Sequence, residues 1–157
     1  MDVYEALYTT RAMRRVKPDP IPAEVQSRIL DAAIRAPSGG NVQTWRFLLV
    51  DDPEVRGAIA PIYKRCLDQL WTTFYAERVA WALADPSDPE RASFLKVKAS
   101  AEWMADHFAS YPLLLFGFAQ GDTSGGSIFP AIWNAMLAAR AEGVGSSLTS
   151  VMAFAGN

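Results

Sequence analysis

Cysteine and histidine are almost missing from this chain of 157 residues, which has one of each. The single cysteine, Cys66, excludes an internal disulfide framework and leaves no cysteine spacing of the kind that binds a metal ion. The single histidine, His107, is not accompanied by a G-x-S-x-G motif, so a hydrolytic triad is not indicated. We therefore expect Cys66 to pack as a small apolar residue and His107 to be a surface or structural residue.

Strong charge and long apolar runs are missing as well. The formal net charge is −2, so no global positive field exists to attract nucleic acid or an anionic membrane. No apolar stretch approaches the ~20 residues that span a bilayer, and no signal-like segment opens the chain, so we expect a cytoplasmic protein. No G-x-G-x-x-G motif marks a dinucleotide domain. Half of the 157 residues are apolar, so the chain can bury one sizeable core. We therefore expect a single domain over residues 1–157.

The most informative segment that is present is the loop at residues 36–47, Ala-Pro-Ser-Gly-Gly-Asn-Val-Gln-Thr-Trp-Arg-Phe. Pro37 ends the preceding helix because it lacks an N–H, and the two glycines allow a close backbone approach or a positive φ. Asn41 and Gln43 offer donors and acceptors together, which suits the C=O and N–H edges of a planar heteroaromatic ring. The alternative is an ordinary turn in which Ser38 and Asn41 satisfy backbone groups.

A cationic cluster precedes this loop, with the sequence Thr-Thr-Arg-Ala-Met-Arg-Arg at residues 9–15. Arginine pairs well with phosphate because its planar guanidinium donates two parallel hydrogen bonds. By itself the cluster would be interpreted as a solvated face near a chain terminus. Together with the loop it predicts a site that recognises a ring edge and a phosphate.

Periodicity and cap signals predict a helical chain with three short strand-like runs. The helices are expected near residues 2–9, 22–34, 53–83, 90–108 and 130–142, and the strands near 47–50, 112–119 and 145–154. Asp2 is expected to cap the first helix, and Gly143 to end the last one in left-handed backbone. Trp45 is expected to belong to the core, and residues 112–119 to form a strand buried on both faces. Parallel neighbours need long crossover connections, and helices of that length lie between the runs. We therefore expect an α+β domain with a small mixed β-sheet surrounded by helices.

Three blocks of the sequence resemble the motifs of the FMN-dependent nitroreductases, in that family's order. They are the Arg-rich segment at 9–16, the Ala-Pro-Ser-x-x-Asn-x-Gln-x-Trp-x-Phe loop at 36–47, and residues 134–150, where Asn-Ala-Met-Leu-Ala-Ala-Arg-Ala-Glu-Gly-Val-Gly-Ser-Ser precedes Leu-Thr-Ser. The likeness implies a nitroreductase-like fold and an intertwined homodimer with two FMN sites at the subunit interface. It also implies a ping-pong cycle that passes hydride from NAD(P)H to a nitroaromatic, quinone or similar acceptor.

The resemblance assigns roles within the Arg-rich segment. Arg11 is expected to bind the phosphate or ribityl chain, and Arg14 is expected to be the catalytic cation that faces N1 and O2 of the flavin. Ala12 lies at the cofactor where the family usually has Ser. Thr10 stands where the family usually has Arg, so one phosphate cation is missing. Arg15 either compensates for it or faces solvent.

The other two blocks complete the expected site. The resemblance places five loop residues against the flavin, reached from the partner subunit: Pro37, Ser38, Gly39, Asn41 and Gln43. It places three residues of the last block at the same ring: Leu148, Thr149 and Ser150. A hydroxyl or backbone N–H from this block is expected to bond N5, the atom that accepts hydride. The alternative is a plain threonine within a strand.

Two further expectations concern the aromatic-rich segment 71–81 and the end of the sequence. The segment, with Arg78, is a candidate substrate lid, and a dimer-contact helix pair is the alternative. Family members usually continue beyond Asn157 with a segment that carries a cation for the phosphate, so the sequence is expected to lack the usual C-terminal segment. The alternative function is a flavin-binding or flavin-sequestering protein without efficient turnover.

Overall fold

The computed structural model describes residues 1–153, and in that range the chain forms six α-helices and two β-strands. The helices are α1 (Val3–Thr9), α2 (Ala23–Ala33), α3 (Pro53–Thr72), α4 (Ala76–Ala84), α5 (Pro89–Asp106) and α6 (Ile128–Ala141). The strands are β1 (Trp45–Val50) and β2 (Leu114–Ala119), and short 3-10 turns lie at Gly39–Asn41, Phe108–Ser110 and Val151–Ala153. No helix in the described range is long and apolar enough to cross a membrane.

Local sequence signals explain several helix ends. The Asp2 carboxylate accepts the Glu5 N–H at 2.9 Å and so caps α1, as predicted. Helices α3 and α5 each start with Asp-Pro, and Asp52 and Asp88 cap their first turns while the proline occupies a position where its missing N–H costs nothing. Gly143 follows α6 with a φ of 77°, which confirms the predicted left-handed helix end.

The sheet is a two-stranded antiparallel ladder, in which Phe47 lies opposite Gly117 and Trp45 opposite Ala119. The expected mixed sheet with parallel neighbours is therefore wrong for the described residues. Parallel strands require long connections, but long connections also permit antiparallel pairing, so connection length did not decide the strand direction. Strand β2 is also less buried than predicted, since Phe118 is 54% exposed.

The third predicted strand, residues 145–154, does not form in its described part. Residues 144–150 have no regular secondary structure and Val151–Ala153 is a 3-10 turn, whereas Phe154 lies outside the described residues. The Met13 N–H donates to the Ser146 carbonyl at 2.9 Å, and one such bond does not make a ladder. The helix predicted over residues 53–83 is also broken, by a turn at residues 73–75 that separates α3 from α4.

Contacts divide the chain into two compact units. The first unit, Met1–Asp51 with Pro112–Ser147, contains α1, α2, α6 and both strands. The second, Asp52–Tyr111 with the residues from Leu148 onward, contains α3, α4 and α5. A single domain over residues 1–157 stays a prediction.

The core of the first unit is the contact between α2 and α6. Ile29 and Ala33 of α2 pack against Ala135 and Ala139 of α6, and all four are buried, Ala33 completely. Phe47 of β1 packs on the same cluster. Because three of the four helix residues are alanines, the two helix surfaces meet with little side-chain volume between them.

Two further contacts fix α6 in place. A Cβ atom added to Gly117 would lie 3.1 Å from Ile132 and 3.2 Å from Ile128, so glycine allows β2 to approach α6 closely. Past the end of α6, the Glu142 carboxylate accepts two hydrogen bonds from Arg28 of α2, at 2.8 and 2.7 Å. The hydrogen-bonded Arg28 guanidinium holds the pKa of Glu142 below its ordinary value.

We expect Ile29→Ala to lower the free energy of unfolding by about 2 to 5 kcal/mol, because it leaves a cavity between α2 and α6. Urea unfolding followed by circular dichroism measures the loss. Ile34→Ala is the matched control, since Ile34 directly follows α2 and is 45% exposed, and it should change the free energy by about 0.5 kcal/mol or less. Equal losses in the two variants would contradict this packing.

Candidate functional site

The loop at residues 37–43 adopts left-handed backbone at three of its residues. Gly40, Asn41 and Gln43 have φ values of 57°, 56° and 49°. Glycine tolerates this conformation, but Asn41 and Gln43 carry a Cβ atom that crowds the following carbonyl, so their backbone is strained. Strained backbone of this kind is concentrated at functional sites.

The side chains of the loop bond mainly to one another. The Ser38 hydroxyl accepts the Gln43 N–H at 3.2 Å, and the Gln43 Nε2 donates to the Asn41 Oδ1 at 2.7 Å. Ser38 therefore satisfies a backbone group, as the ordinary-turn alternative predicts. Pro37, Gly39, Asn41 and Gln43 are exposed. The Asn41 Nδ2 donor and the Gln43 Oε1 acceptor are left to pair with the edge of a ligand.

A side chain at the start of α6 anchors the loop. The Gly39 N–H donates to the Ser127 Oγ at 3.2 Å, and Ser127 immediately precedes α6. Trp45, which follows the loop, is 6% exposed and packs with Ala36 and Ala131. This confirms the prediction that Trp45 belongs to the core, and it places the loop at the N-terminal end of α6.

The Arg-rich segment at residues 9–15 is anchored at the other end of α6. Arg140, in the last turn of α6, donates from Nε to the Thr9 Oγ1 at 3.1 Å. Farther along the segment, the Met13 N–H donates to the Ser146 carbonyl. The first motif block therefore meets the third block at Arg140 and Ser146, as expected if both serve one ligand.

Within this segment the candidate ligands are accessible to different degrees. Arg11 and Ala12 are exposed and Arg14 is half-buried. The Thr10 hydroxyl donates to the Ala6 carbonyl at 2.6 Å, so it belongs to the end of α1. Arg140 is a cation that the sequence analysis missed, because only the tertiary structure brings it to residues 9–15.

Gly145 and Ser147 flank Ser146, the residue that bonds to the same segment. A Cβ atom added to Gly145 would lie 3.1 Å from both Met13 and Val16, so only glycine allows this close approach. The Ser147 Oγ is buried and has no hydrogen-bond partner among the residues that the structure describes. A buried hydroxyl without a partner costs free energy, and a bound ligand could satisfy it.

The loop at residues 37–43 and the Arg-rich segment at residues 9–15 are anchored at opposite ends of α6. The anchor of the loop, Ser127, and the anchor of the Arg-rich segment, Arg140, are 13 positions apart, which is about 20 Å along a helix axis. One chain thus brings the Arg-rich segment to Arg140 and Ser146 of the third block, whereas the loop is anchored at the opposite end of α6.

Leu148, Thr149 and Ser150 belong to the second unit, and all three are exposed. The Thr149 Oγ1 accepts hydrogen bonds from the Tyr63 hydroxyl and the Val151 N–H, each at 3.4 Å. A hydroxyl has two acceptor sites and one proton, so this arrangement leaves the Thr149 proton to be donated elsewhere. Because no strand forms here, the alternative of a threonine within a strand is wrong.

The aromatic segment 71–81 packs within the second unit. Trp71 and Tyr75 have ring centroids 5.3 Å apart, and Trp71 meets the Phe94 ring edge-on at 6.2 Å. The Arg78 guanidinium lies 5.0 Å from the Phe94 centroid, which is cation–π geometry. These contacts hold α3, α4 and α5 together, and the two roles considered for the segment, lid and dimer contact, stay predictions.

The remaining candidates of the sequence, His107 and Cys66, belong to the second unit. His107 is exposed, and its ring stacks on Trp103 at 4.0 Å, as expected for a surface residue. Cys66 is a half-buried free thiol. Among the described residues, no group of three or more His, Cys, Asp or Glu side chains could hold a metal ion.

Comparison with known proteins gives a consistent result. Residues 7–156 match the model of the Nitroreductase family. The chain is 32% identical to the protein DrgA of Synechocystis sp. over 151 residues, which cover 93% of this chain and 70% of DrgA. It is also 32% identical to 5,6-dimethylbenzimidazole synthase of Rhodospirillum rubrum over 166 residues, which cover 96% of this chain and 70% of the synthase.

A solved structure extends the likeness to three dimensions. It is an oxidised iodotyrosine deiodinase bound to FMN and 3-iodo-L-tyrosine, with a TM-score of 0.70 and 27% identity over 94% of this chain and 73% of the deiodinase. The predicted nitroreductase-like fold is thereby confirmed, and FMN is confirmed as the cofactor of relatives that share it. Since the family match spans nearly all of the residues, this chain belongs to the nitroreductase family.

Proposed function

We propose that this chain is one subunit of a homodimeric FMN-dependent oxidoreductase. It takes hydride from NADH or NADPH and passes the electrons to a small aromatic acceptor, such as a nitroaromatic or a quinone. Family membership supports an FMN-linked oxidoreductase. The two reaction partners come from the resemblance of the motifs, and a cytoplasmic location stays a prediction of the sequence.

The observation that carries the proposal is the separation of the two motif blocks by α6. The loop at residues 37–43 is bonded to Ser127 and the segment at residues 9–15 to Arg140, about 20 Å apart along the helix. A flavin ring system is shorter than this helix. We therefore infer that each flavin receives the loop from one subunit and the Arg-rich segment from the other.

Exposed apolar side chains of the first unit support a dimer. Tyr8 is 81% exposed and Tyr4 is 65% exposed on α1, and Leu48, Phe118 and Phe129 are about half exposed. Large apolar side chains in such numbers favour an interaction surface over free contact with water. A second copy of the chain would cover them.

The described residues fit FMN chemically. Arg11 and Arg14 match an anionic phosphate or the carbonyl edge of the ring, and the Asn41 Nδ2 and Gln43 Oε1 match its alternating acceptors and donors. The unpaired Ser147 hydroxyl follows Ser146, whose carbonyl accepts the Met13 N–H. Bound FMN would supply the hydride chemistry at N5.

Two side chains have defined roles in this proposal. Arg14 would hold the N1 and O2 edge of bound FMN with its positive charge, which favours the reduced ring. Thr149, which accepts a hydrogen bond from the Tyr63 hydroxyl, would donate a hydrogen bond to N5. In a ping-pong cycle the acceptor takes the place that nicotinamide leaves, so no protein residue has to act as a nucleophile.

We expect the protein to bind one FMN per subunit and to be a dimer in solution. Quenching of FMN fluorescence measures the binding, and analytical ultracentrifugation measures the mass. A protein that leaves FMN fluorescence unchanged would reject the flavoprotein proposal, and a flavin-bound monomer would reject the shared site. FMN binding without oxidation of NADH or NADPH would instead favour a flavin-sequestering protein.

Replacing Arg14 tests its electrostatic role. Arg14→Ala should lower the two-electron midpoint potential of bound FMN by about 30 to 65 mV, because a charge-assisted hydrogen bond is worth about 1.5 to 3 kcal/mol. Arg14→Lys should retain part of the effect, since it keeps the charge but not the planar fork. Spectroelectrochemical titration measures the potential.

Arg35→Ala is the control for Arg14, because Arg35 is an exposed arginine that pairs with Asp31 on α2. It should leave the potential unchanged. If Arg14→Ala weakens FMN binding without shifting the potential, then Arg14 binds the phosphate. If neither property changes, then Arg14 has no part in the site.

A further inference from the structure

One hydrogen bond links the loop at residues 37–43 to the rest of the first unit. In the described part of the chain, its other hydrogen bonds stay within the loop, as between Asn41 and Ser38 or Val42 and Gly39. The exception is the bond from the Gly39 N–H to the Ser127 Oγ. Ala36 and Trp45, on either side of the loop, pack with Ala131 of α6, and between them the Ser127 hydroxyl fixes the loop itself.

Ser127 does not use its hydroxyl in the way its place in the sequence predicts. It occupies the N-cap position of α6, where a serine normally accepts an N–H of the first helical turn, yet it makes no such bond. Asp122 caps the helix instead, because its Oδ2 accepts the Ser127 N–H at 2.9 Å and the Ile128 N–H at 2.8 Å. The Ser127 hydroxyl is thereby left to hold Gly39.

The turn that carries Asp122 and Ser127 is itself tightly packed. Gly125 is buried with a φ of 73°, and a Cβ atom there would lie 2.4 Å from the Phe129 ring. The Ile128 N–H, followed by the Ser127 N–H, lowers the pKa of Asp122 below its ordinary value, so the cap stays anionic near neutral pH. The Ser127 hydroxyl is thus presented to the loop from a fixed position.

We propose that Ser127 and Asp122 are positioning residues that hold residues 37–43 ready to receive the flavin. The inference rests on the proposed function, because it takes this loop as a cofactor contact. Asn41 and Gln43 are strained, and strained backbone persists only where its surroundings hold it. Without the Ser127 bond the loop would spend less time in the binding conformation, and apparent affinity falls in proportion to that population.

The test uses Ser127→Ala in the full-length chain. It should raise the dissociation constant for FMN by about three- to ten-fold, which is the value of one neutral hydrogen bond. The loss should appear mainly in the association rate, and the urea midpoint of the FMN-free protein should fall only slightly, because a single hydrogen bond is lost. Ser127→Thr keeps the hydroxyl and should restore most of the affinity. Asp122→Ala should lower both the affinity and the urea midpoint, since it also removes the helix cap.

Ser27→Ala is the matched control, because the Ser27 hydroxyl makes one hydrogen bond to a backbone carbonyl within α2. It should leave FMN binding unchanged. Amide hydrogen exchange of the FMN-free protein supplies a second readout, in which Ser127→Ala should speed exchange at Gly39.

The outcomes separate the two proposals. Faster exchange at Gly39 with unchanged FMN affinity would overturn the positioning role while leaving FMN binding intact. Unchanged exchange in Ser127→Ala would overturn the link itself. Failure of the wild-type chain to bind FMN would reject the proposed function, and the positioning role would fall with it.

Discussion

Helix α6 sets the distances on which the motif-bearing unit depends. Its residues Ala135 and Ala139 pack against Ile29 and Ala33 of α2, and Gly117 lets β2 approach it closely. The loop is bonded to Ser127 at one end, and the Arg-rich segment is bonded to Arg140 at the other. The loop and the Arg-rich segment cannot move toward each other without breaking these hydrogen bonds. This separation is the reason for our proposal that a cofactor in contact with both groups receives one of them from another chain.

The strained loop and its anchor are two parts of one arrangement. Left-handed backbone at Asn41 and Gln43 costs about 1 to 3 kcal/mol for each residue, and the loop itself has few contacts to offset that cost. The bond to Ser127 and the cap made by Asp122 connect the loop to α6, which packs against α2. In our proposal these contacts hold the loop in a conformation suited to a ligand.

The sequence predicted features that depend on neighbouring residues. The cap at Asp2, the left-handed Gly143 and the core position of Trp45 were recognised because a residue type and its local pattern suffice. The antiparallel direction of the strands and the absence of a third strand were not predicted, because strand pairing depends on segments that are far apart in the sequence. The link between Gly39 and Ser127 spans 88 positions, and no local signal shows that Asp122 replaces Ser127 as the cap.

A mixed dimer tests the shared site most directly. One subunit carries Gly39→Trp in the loop, and the other carries Arg11→Glu with Arg14→Glu, each with a different purification tag. Once each variant alone is shown not to bind FMN, the mixed dimer should bind one FMN, because one of its sites receives an intact loop and an intact Arg-rich segment. A mixed dimer that binds no FMN would show that both groups serve the flavin within one chain, and would contradict this account.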